Sequence, residues 1–190
     1  YEPFIRRAAG LGVAPTEADP DHYASRYAHC DVLVIGGGVA GLSAALAAAK
    51  AGAKVIICDE QPEMGGALRY ESGTTIDGKN GWDWAQETAG TLAEMDNVTV
   101  LTRTTGFGYY NHNFVGLVER VTDHLAALDK SLPRERLWQV RAKKVILANG
   151  QIERHMVFAN NDRPGIMLAS AGRTYLNHFG VAVGSKVGVY

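Results

Sequence analysis

Cysteine is scarce in this 190-residue chain, which contains only Cys30 and Cys58. Two cysteines do not make a disulfide framework, and without a C-x-x-C motif a thiol–disulfide relay lacks its parts. We therefore interpret both as buried structural thiols, and we expect a reducing, cytoplasmic setting.

Long apolar runs and an excess of charge of either sign are also missing. Lys plus Arg number 19 and Asp plus Glu number 20, so the formal net charge is -1. This balance gives no electrostatic case for nucleic acid or an anionic membrane as a partner. No apolar run approaches the roughly 20 residues of a membrane-spanning helix. The histidines show no metal-ligand spacing, so we expect no metal site.

Glycine, in contrast, is abundant, with 22 residues. The most informative cluster follows the apolar run 32–35 and has the order G-x-G-x-x-G. An alanine-rich segment with helical periodicity comes next, so the pattern predicts strand, turn and helix. In such a motif Gly36 allows the tight turn, Gly38 lets the backbone approach a pyrophosphate, and Gly41 lets the helix pack on the strand. The first N–H groups of the helix, including those of Val39 and Ala40, would face the phosphates.

An acid at the correct distance supports this dinucleotide interpretation. Residues 54–59 have the Val and Ile content of a buried strand, and Asp59 ends it, 18 residues after Gly41. At this spacing a carboxylate accepts hydrogen bonds from the adenosine ribose, and Glu60 takes that role if the strand ends one residue later. An acid here repels a 2′-phosphate, so we expect NAD or FAD rather than NADP. The alternative is a glycine turn that serves packing alone.

The remaining pattern predicts the fold class. Residues 82–95 have one apolar helical face, and 98–101 follow as a third parallel strand. Residues 104–124 and 136–140 have the composition and alternation typical of an antiparallel meander, and 143–150 are predicted to form another buried strand. We predict an α/β protein with a Rossmann-like, FAD/NAD(P)-binding parallel sheet and an inserted antiparallel β-meander. Ligands bind at the carboxyl ends of parallel strands, so Ala148, Asn149 and Gly150 should face the cofactor.

The chain divides into three parts on this interpretation. Residues 1–29 are expected to form an extended arm, and 30–180 the dinucleotide-binding domain. A helix is predicted at 168–179. Residues 186–190 resemble the start of another strand, so 181–190 are interpreted as the beginning of a truncated second nucleotide-type domain.

For each of two polar segments, the sequence allows two interpretations. The cluster Tyr109, Tyr110, His112 and Asn113 either lines a ligand pocket or packs the meander, and packing is favoured. The turn-forming segment 160–165 is most simply a surface turn, although its position lets it approach the cofactor.

Several loops, taken together, resemble one family, the α subunits of heterotetrameric sarcosine oxidases. The matching segments are Cys-Asp-Val-Leu-Val-Ile-Gly-Gly-Gly-Val-Ala-Gly-Leu (30–42), Asp-Glu-Gln-Pro-Glu-Met-Gly-Gly (59–66), Phe-Gly-Tyr-Tyr-Asn-His-Asn (107–113), Leu-Ala-Asn-Gly-Gln-Ile-Glu-Arg (147–154) and Phe-Ala-Asn-Asn-Asp-Arg-Pro-Gly (158–165). Residues 5–12 and 14–21 of the amino-terminal arm are similar too. The chain departs from related flavoproteins at Asn149, where Thr is usual, and at Val39, where Pro is common. Neither difference removes a backbone N–H donor.

The resemblance implies an enzyme complex that demethylates sarcosine oxidatively to glycine, with formaldehyde (or methylene-tetrahydrofolate) and hydrogen peroxide as products. It implies that this subunit carries NAD, while FAD and FMN lie elsewhere in the complex, and that this chain holds no catalytic residue. The implied cofactor-binding residues are Gly36, Gly38, Val39, Ala40 and Gly41 on the pyrophosphate, Asp59 or Glu60 on the ribose, Gly65, Gly66, Ala148, Asn149 and Gly150 near the cofactor, and Thr104 and Thr105 near the adenosine.

Two other functions remain open from the sequence. The chain would bind FAD and do redox work in a related opine or amino-acid dehydrogenase, or it would serve only as a docking module for other subunits.

Overall fold

A computed structural model describes residues 1–12, 15–127, 129 and 131–189 of the chain. The strands are β1 (Tyr23–Ile35), β2 (Val55–Cys58), β3 (Thr75–Ile76), β4 (Lys79–Asn80), β5 (Val98–Leu101), β6 (Thr104–Tyr110), β7 (Phe114–Arg120) and β8 (Glu135–Leu147). The α-helices are α1 (Glu2–Ala8), α2 (Val39–Lys50), α3 (Gly81–Ala93) and α4 (Ala169–Phe179), and short 3-10 helices cover Gly66–Tyr70 and Asn111–Asn113.

One six-stranded sheet organises the molecule, in the order β5-β2-β1-β8-β7-β6. Strands β5, β2, β1 and β8 run parallel, whereas β7 and β6 are antiparallel to their neighbours. A small hairpin of β3 and β4 stands apart. The predicted α/β class, with an antiparallel meander added to a parallel sheet, is confirmed.

The core lies on both faces of the sheet. On one face, Val34 and Ile57 pack with Leu42 of α2 and Leu92 of α3. On the other face, side chains of the parallel strands pack against the meander, among them Leu33, Ile56, Leu117, Trp138 and Val140. Burial of each large apolar side chain contributes roughly 1.5–3 kcal/mol, so the two clusters fix the β-α-β frame that carries the glycine turn.

Strand β1 begins earlier than its apolar run at 32–35 suggests. Its first half, from Tyr23, pairs in parallel with β8 from Glu135 onward. This half has no apolar run because its outer face is exposed, as Tyr27 shows at 74% exposure. Its partner strand, β8, lies more than 100 residues further along the chain, so no local sequence pattern predicts the pairing.

Strand β8 differs from its prediction in two ways. The segments predicted as separate strands at 136–140 and 143–150 form one strand, Glu135–Leu147. Its second half is also less buried than expected, since Leu147 is 59% exposed. No described element covers that side chain, although β8 lies between β1 and β7 in the sheet.

The two ends of the chain also differ from expectation. Residues 2–8 form α1 rather than an extended segment, with a Glu2–Arg6 ion pair along one side. Residues 186–189 do not form a strand, and Tyr190 lies outside the described residues. The three-part division at residues 29 and 180 stays a prediction. Within the described ranges, no helix has the length and apolarity that crossing a membrane requires.

Candidate dinucleotide site

The turn between β1 and α2 is built on glycine for two packing reasons. Gly36 has φ +106°, a conformation that favours glycine, and a Cβ there would overlap the carbonyl of Ala148. A Cβ on Gly41 would overlap the carbonyl oxygen of Gly36. The Gly36 N–H donates to the Cys58 carbonyl at 2.8 Å. The turn therefore sits tightly on the carboxyl ends of β1, β2 and β8.

Gly38 is different, because the protein itself does not require a glycine there. Its backbone is extended, with φ -74° and ψ -171°, which any residue adopts. A Cβ would meet nothing nearer than the Gly66 Cα, at 4.0 Å. Neither strain nor packing requires a glycine here. Glycine is also favoured at a helix N-cap, which is the place of Gly38 at the start of α2, and its bare backbone leaves room for a ligand to approach closely. The residues present thus fit a pyrophosphate, and the packing-only interpretation does not cover Gly38.

The amino end of α2 supplies donors for such a group. The first helical hydrogen bond runs from the Leu42 N–H to the Gly38 carbonyl, at 2.9 Å. Among the described residues, none accepts from the N–H groups of Val39, Ala40 or Gly41, and no side chain caps the helix. These three N–H groups, without an acceptor in the described part of the chain, and the positive end of a 12-residue helix are features that favour an anion.

Asp59 lies beside this turn at the end of β2. Its Oδ2 accepts a hydrogen bond from the Gly37 N–H at 2.6 Å, and its Oδ1 accepts one from the Gln61 N–H at 2.8 Å. Each carboxylate oxygen has a second lone pair free for a ligand hydroxyl. Glu60 is exposed, and among the described residues its carboxylate accepts a hydrogen bond only from its neighbour Gln61, at 3.5 Å. The structure therefore brings Asp59, rather than Glu60, to the glycine turn.

The glycine pair Gly65 and Gly66 lies against the same turn. The Gly65 N–H donates to the Gly37 carbonyl at 2.8 Å, and a Cβ on Gly66 would stand 3.0 Å from the Gly38 Cα. Met64 is buried beneath this contact, with its Sδ filling the space that a Cβ on Gly37 would need. The loop thus forms a second wall of the site.

Helix α3 holds that loop, and sequence reasoning missed the residues responsible. The Gln86 side-chain amide donates to the Met64 carbonyl at 2.8 Å. The Trp82 ring leaves no room for a Cβ on Gly65, with the nearest ring carbon at 2.6 Å. No motif in the sequence marks either residue, because their role arises only when α3 packs on the loop.

Thr104 and Thr105 differ from each other. Thr104 is buried, its N–H donates to the Asp59 carbonyl at 2.7 Å, and its hydroxyl donates to the Thr102 carbonyl at 2.8 Å. The hydroxyl and N–H groups of Thr104 are therefore hydrogen-bonded within the protein, and they fix β6 beside the end of β2. Thr105 is exposed.

The end of β8 completes the edge. The Ala148 N–H donates to the Ile35 carbonyl at 2.7 Å, which places Ala148 directly at the glycine turn. Asn149 and Gly150 follow and are exposed.

The other residues singled out in the sequence lie in local packing. The Tyr109 hydroxyl donates to the Asn113 side chain at 2.7 Å, and Asn113 donates to the Lys143 carbonyl at 3.0 Å, so this cluster packs the β6–β7 turn on β8. Burial raises the pKa of the Cys58 thiol to about 12 and that of Cys30 to about 11. These are inert thiols at neutral pH.

Two known proteins are similar in sequence to this chain over all or nearly all of its length. It is 53% identical over 190 residues to the sarcosine oxidase subunit alpha of Rhizobium meliloti (strain 1021), covering 100% of this chain and 19% of that protein. It is 48% identical over 182 residues to the sarcosine oxidase subunit alpha of Corynebacterium sp. (strain U-96), covering 95% and 19%. The chain therefore spans about a fifth of the length of these relatives.

A solved structure and a family model agree with the fold. The L-proline dehydrogenase from P. horikoshii superposes with a TM-score of 0.63 at 27% identity, over 86% of this chain and 31% of that one. The model of the family described as FAD dependent oxidoreductase matches residues 31–146, the segment that contains the glycine turn, Asp59 and most of β8. The chain belongs to the FAD-dependent oxidoreductase family.

Proposed function

We propose that this chain is the dinucleotide-binding part of a sarcosine oxidase α subunit. The observation that carries the dinucleotide site is Gly38, whose bare backbone leaves room for a close ligand. It starts a helix whose first three N–H groups have no acceptor among the described residues. The similarity to sarcosine oxidase α subunits, over the whole chain, supports the choice of enzyme.

In this proposal each part of the site has one task. The turn Gly36–Gly41, with Val39 and Ala40, binds the pyrophosphate through backbone N–H groups. Asp59 accepts hydrogen bonds from the ribose hydroxyls. Glu60 adds negative charge beside it, which disfavours a 2′-phosphate. Further walls of the crevice come from Gly65, Gly66, Thr104, Thr105, Ala148, Asn149 and Gly150.

The cofactor proposed for this site is NAD. The support is the resemblance to sarcosine oxidase α subunits, which implies NAD here and flavins elsewhere in the complex. FAD is the alternative, and the description of the family favours it. Both molecules contain the ADP moiety that the turn and Asp59 would bind.

The complete enzyme would oxidise sarcosine to glycine, with formaldehyde (or methylene-tetrahydrofolate) and hydrogen peroxide as products. This chain would supply no catalytic residue, and its task would be to bind and orient a dinucleotide. Its partners would be the other subunits of a cytoplasmic hetero-oligomeric oxidase, and the name "subunit alpha" of the relatives supports such an assembly.

A second candidate is an FAD-binding subunit of an amino-acid dehydrogenase, with redox chemistry at this site. The superposition with an L-proline dehydrogenase favours it.

The test is a cofactor analysis of the full-length protein in its complex. After acid extraction, NAD and flavins are quantified per α subunit, and the α subunit alone is examined for a flavin absorption band. One NAD per α subunit, with no flavin band from that subunit, supports the proposal. FAD bound by the α subunit at this domain would overturn NAD as the cofactor and favour the second candidate, and no dinucleotide at all would overturn both.

A further inference from the structure

Helix α4 makes several polar contacts with segments that lead to the candidate site. None of its 11 residues is buried, so it adds little to the core. Its described polar contacts nevertheless join two separate segments of the site. One segment follows the glycine pair at 65–66, and the other follows the end of β8.

The first attachment is to the loop beyond the glycine pair. Arg173 pairs with Glu71 at 3.2 Å, and the Asn177 side chain donates to the Tyr70 carbonyl at 2.7 Å. The Tyr70 and His178 rings meet edge to face, with centroids 5.4 Å apart. Tyr70 ends the 3-10 helix that begins at Gly66, so these contacts hold the far end of the second wall.

The second attachment is to the segment after β8. The Ser170 N–H, in the first turn of α4, donates to the Glu153 carboxylate at 2.8 Å. A carboxylate at a helix amino end is stabilised by the free N–H groups and the helix dipole. The pKa of Glu153 is accordingly lowered, first by its hydrogen bond to Ser170. Glu153 lies just after Gly150 in the chain, so this contact ties α4 to the segment that follows the end of β8.

We propose that α4 is a brace that fixes the 65–71 loop against the segment after β8, and that Arg173 and Asn177 are positioning residues for the dinucleotide. The inference rests on the proposed function, because the braced segments are walls of that site. Without the brace the hydrogen bond from the Gly65 N–H to the Gly37 carbonyl would break more often. The 65–71 loop would then no longer be held beside the first N–H groups of α2.

The experiment uses the full-length protein in its complex, with Arg173→Ala, Asn177→Ala and the double variant. Exposed ion pairs and single hydrogen bonds are weak, so we expect about threefold faster dinucleotide release for each single variant and about tenfold for the double. Because each substitution removes only weak polar side-chain contacts, the melting temperature should stay within about 2 °C of the wild type. Arg6→Ala is the matched control, since it breaks the remote Glu2–Arg6 pair on α1. It should leave release unchanged.

A charge exchange separates a direct pair from a general loss of structure. Glu71→Arg alone also loses the hydroxyl hydrogen bond from Thr74. Adding Arg173→Glu should then slow dinucleotide release again relative to Glu71→Arg alone. If the exchange gives no recovery, the ion pair has no positioning role.

Hydrogen exchange of residues 64–71 makes the brace testable independently of the cofactor. In the double variant the Gly65 N–H should exchange about tenfold faster without dinucleotide present. Unchanged exchange and release in the double variant would overturn the brace while leaving the proposed function intact. If the wild-type protein binds no dinucleotide, the proposed function fails, and the exchange result alone decides the brace.

Discussion

The Oδ2 atom of Asp59 accepts a hydrogen bond from the Gly37 N–H at 2.6 Å, across the gap between the ends of β2 and β1. This contact places a carboxylate one residue from Gly38, where the pyrophosphate would lie. The same side chain also accepts from the Gln61 N–H, so it links the glycine turn to the loop after β2.

Replacement of Asp59 should therefore weaken dinucleotide binding far more than replacement of Glu60. Hydrogen bonds to a charged group contribute roughly 1.5–3 kcal/mol, so Asp59→Ala should raise Kd at least about tenfold. Asp59→Asn keeps an acceptor for the Gly37 N–H but loses the charge, and should fall between. Glu60→Ala, the matched control, should change Kd by less than about threefold. Titration calorimetry on the cofactor-stripped full-length protein measures all three, and a larger effect of Glu60→Ala would transfer the ribose role to that residue.

Alanine at Gly38 should abolish dinucleotide binding with little loss of stability, whereas alanine at Gly41 should lower the stability of the domain. A Cβ at Gly38 has room and allowed backbone angles, so Gly38→Ala should alter the free energy of unfolding by less than about 1 kcal/mol. It should nevertheless abolish measurable dinucleotide binding, because the methyl group projects from the backbone at the phosphate position. Gly41→Ala overlaps the Gly36 carbonyl and should cost about 1–3 kcal/mol. Urea unfolding together with binding separates the two, and normal binding by Gly38→Ala would remove the main support for the site.

The parts of the site that the sequence predicts are those with local signals. Gly36, Gly38 and Gly41 are found by their spacing between an apolar run and a helical period, and Asp59 by its distance along the chain. Strand β5 and helices α2, α3 and α4 follow in the same way, because the apolar or helical pattern that predicts each of them lies within one element.

What the sequence does not predict depends on pairing between distant segments. Val32–Ile35 is recognisable alone, but the start of β1 at Tyr23 depends on β8. The sequence favours Asp59 by its spacing but leaves Glu60 open as its replacement, and the hydrogen bond from the Gly37 N–H is what brings Asp59 to the turn. Gln86 lies on the exposed side of α3 and gains a role only through the Met64 carbonyl.

Gln86 should affect binding through that carbonyl. Gln86→Leu removes the donor and frees the loop, so the dinucleotide should dissociate about threefold faster at neutral pH. In Gln86→Glu the ionised side chain cannot donate, whereas the protonated acid can, so release should slow as the pH falls through about 4.3. Stopped-flow measurement of release from the full-length protein tests both, with Thr91→Ala on the same helix as control. Identical pH profiles for Gln86→Glu and the wild type would contradict this role.

Both thiols should resist alkylation in the folded protein. Burial raises the pKa of Cys58 to about 12 and of Cys30 to about 11, so little thiolate exists at pH 8. An unperturbed cysteine has a pKa near 8.5, so labelling should be slower by about a hundredfold or more. Mass spectrometry of peptides after iodoacetamide treatment measures this, with guanidinium-unfolded protein as the control. Fast labelling of Cys58 in the native protein would show that β2 is accessible.

Asp31 should make the stability of the domain depend on pH in the acid range. Its carboxylate accepts from the Lys143 ammonium and from the Lys54 N–H, each at 2.7 Å, and these bonds lower its pKa, Lys143 first. A group with a lowered folded-state pKa contributes its full stability above its unfolded value, near 3.9, and loses it as the pH falls through the folded value. Asp31→Asn should therefore be less stable than the wild type at pH 6, and the difference should shrink steadily below about pH 4. Lys143→Met, which keeps the Lys54 contact, should give a smaller difference over the same range. Urea unfolding of the full-length protein between pH 6 and pH 2.5 measures these differences, and one that stays constant with pH would mean that the Asp31 charge contributes nothing.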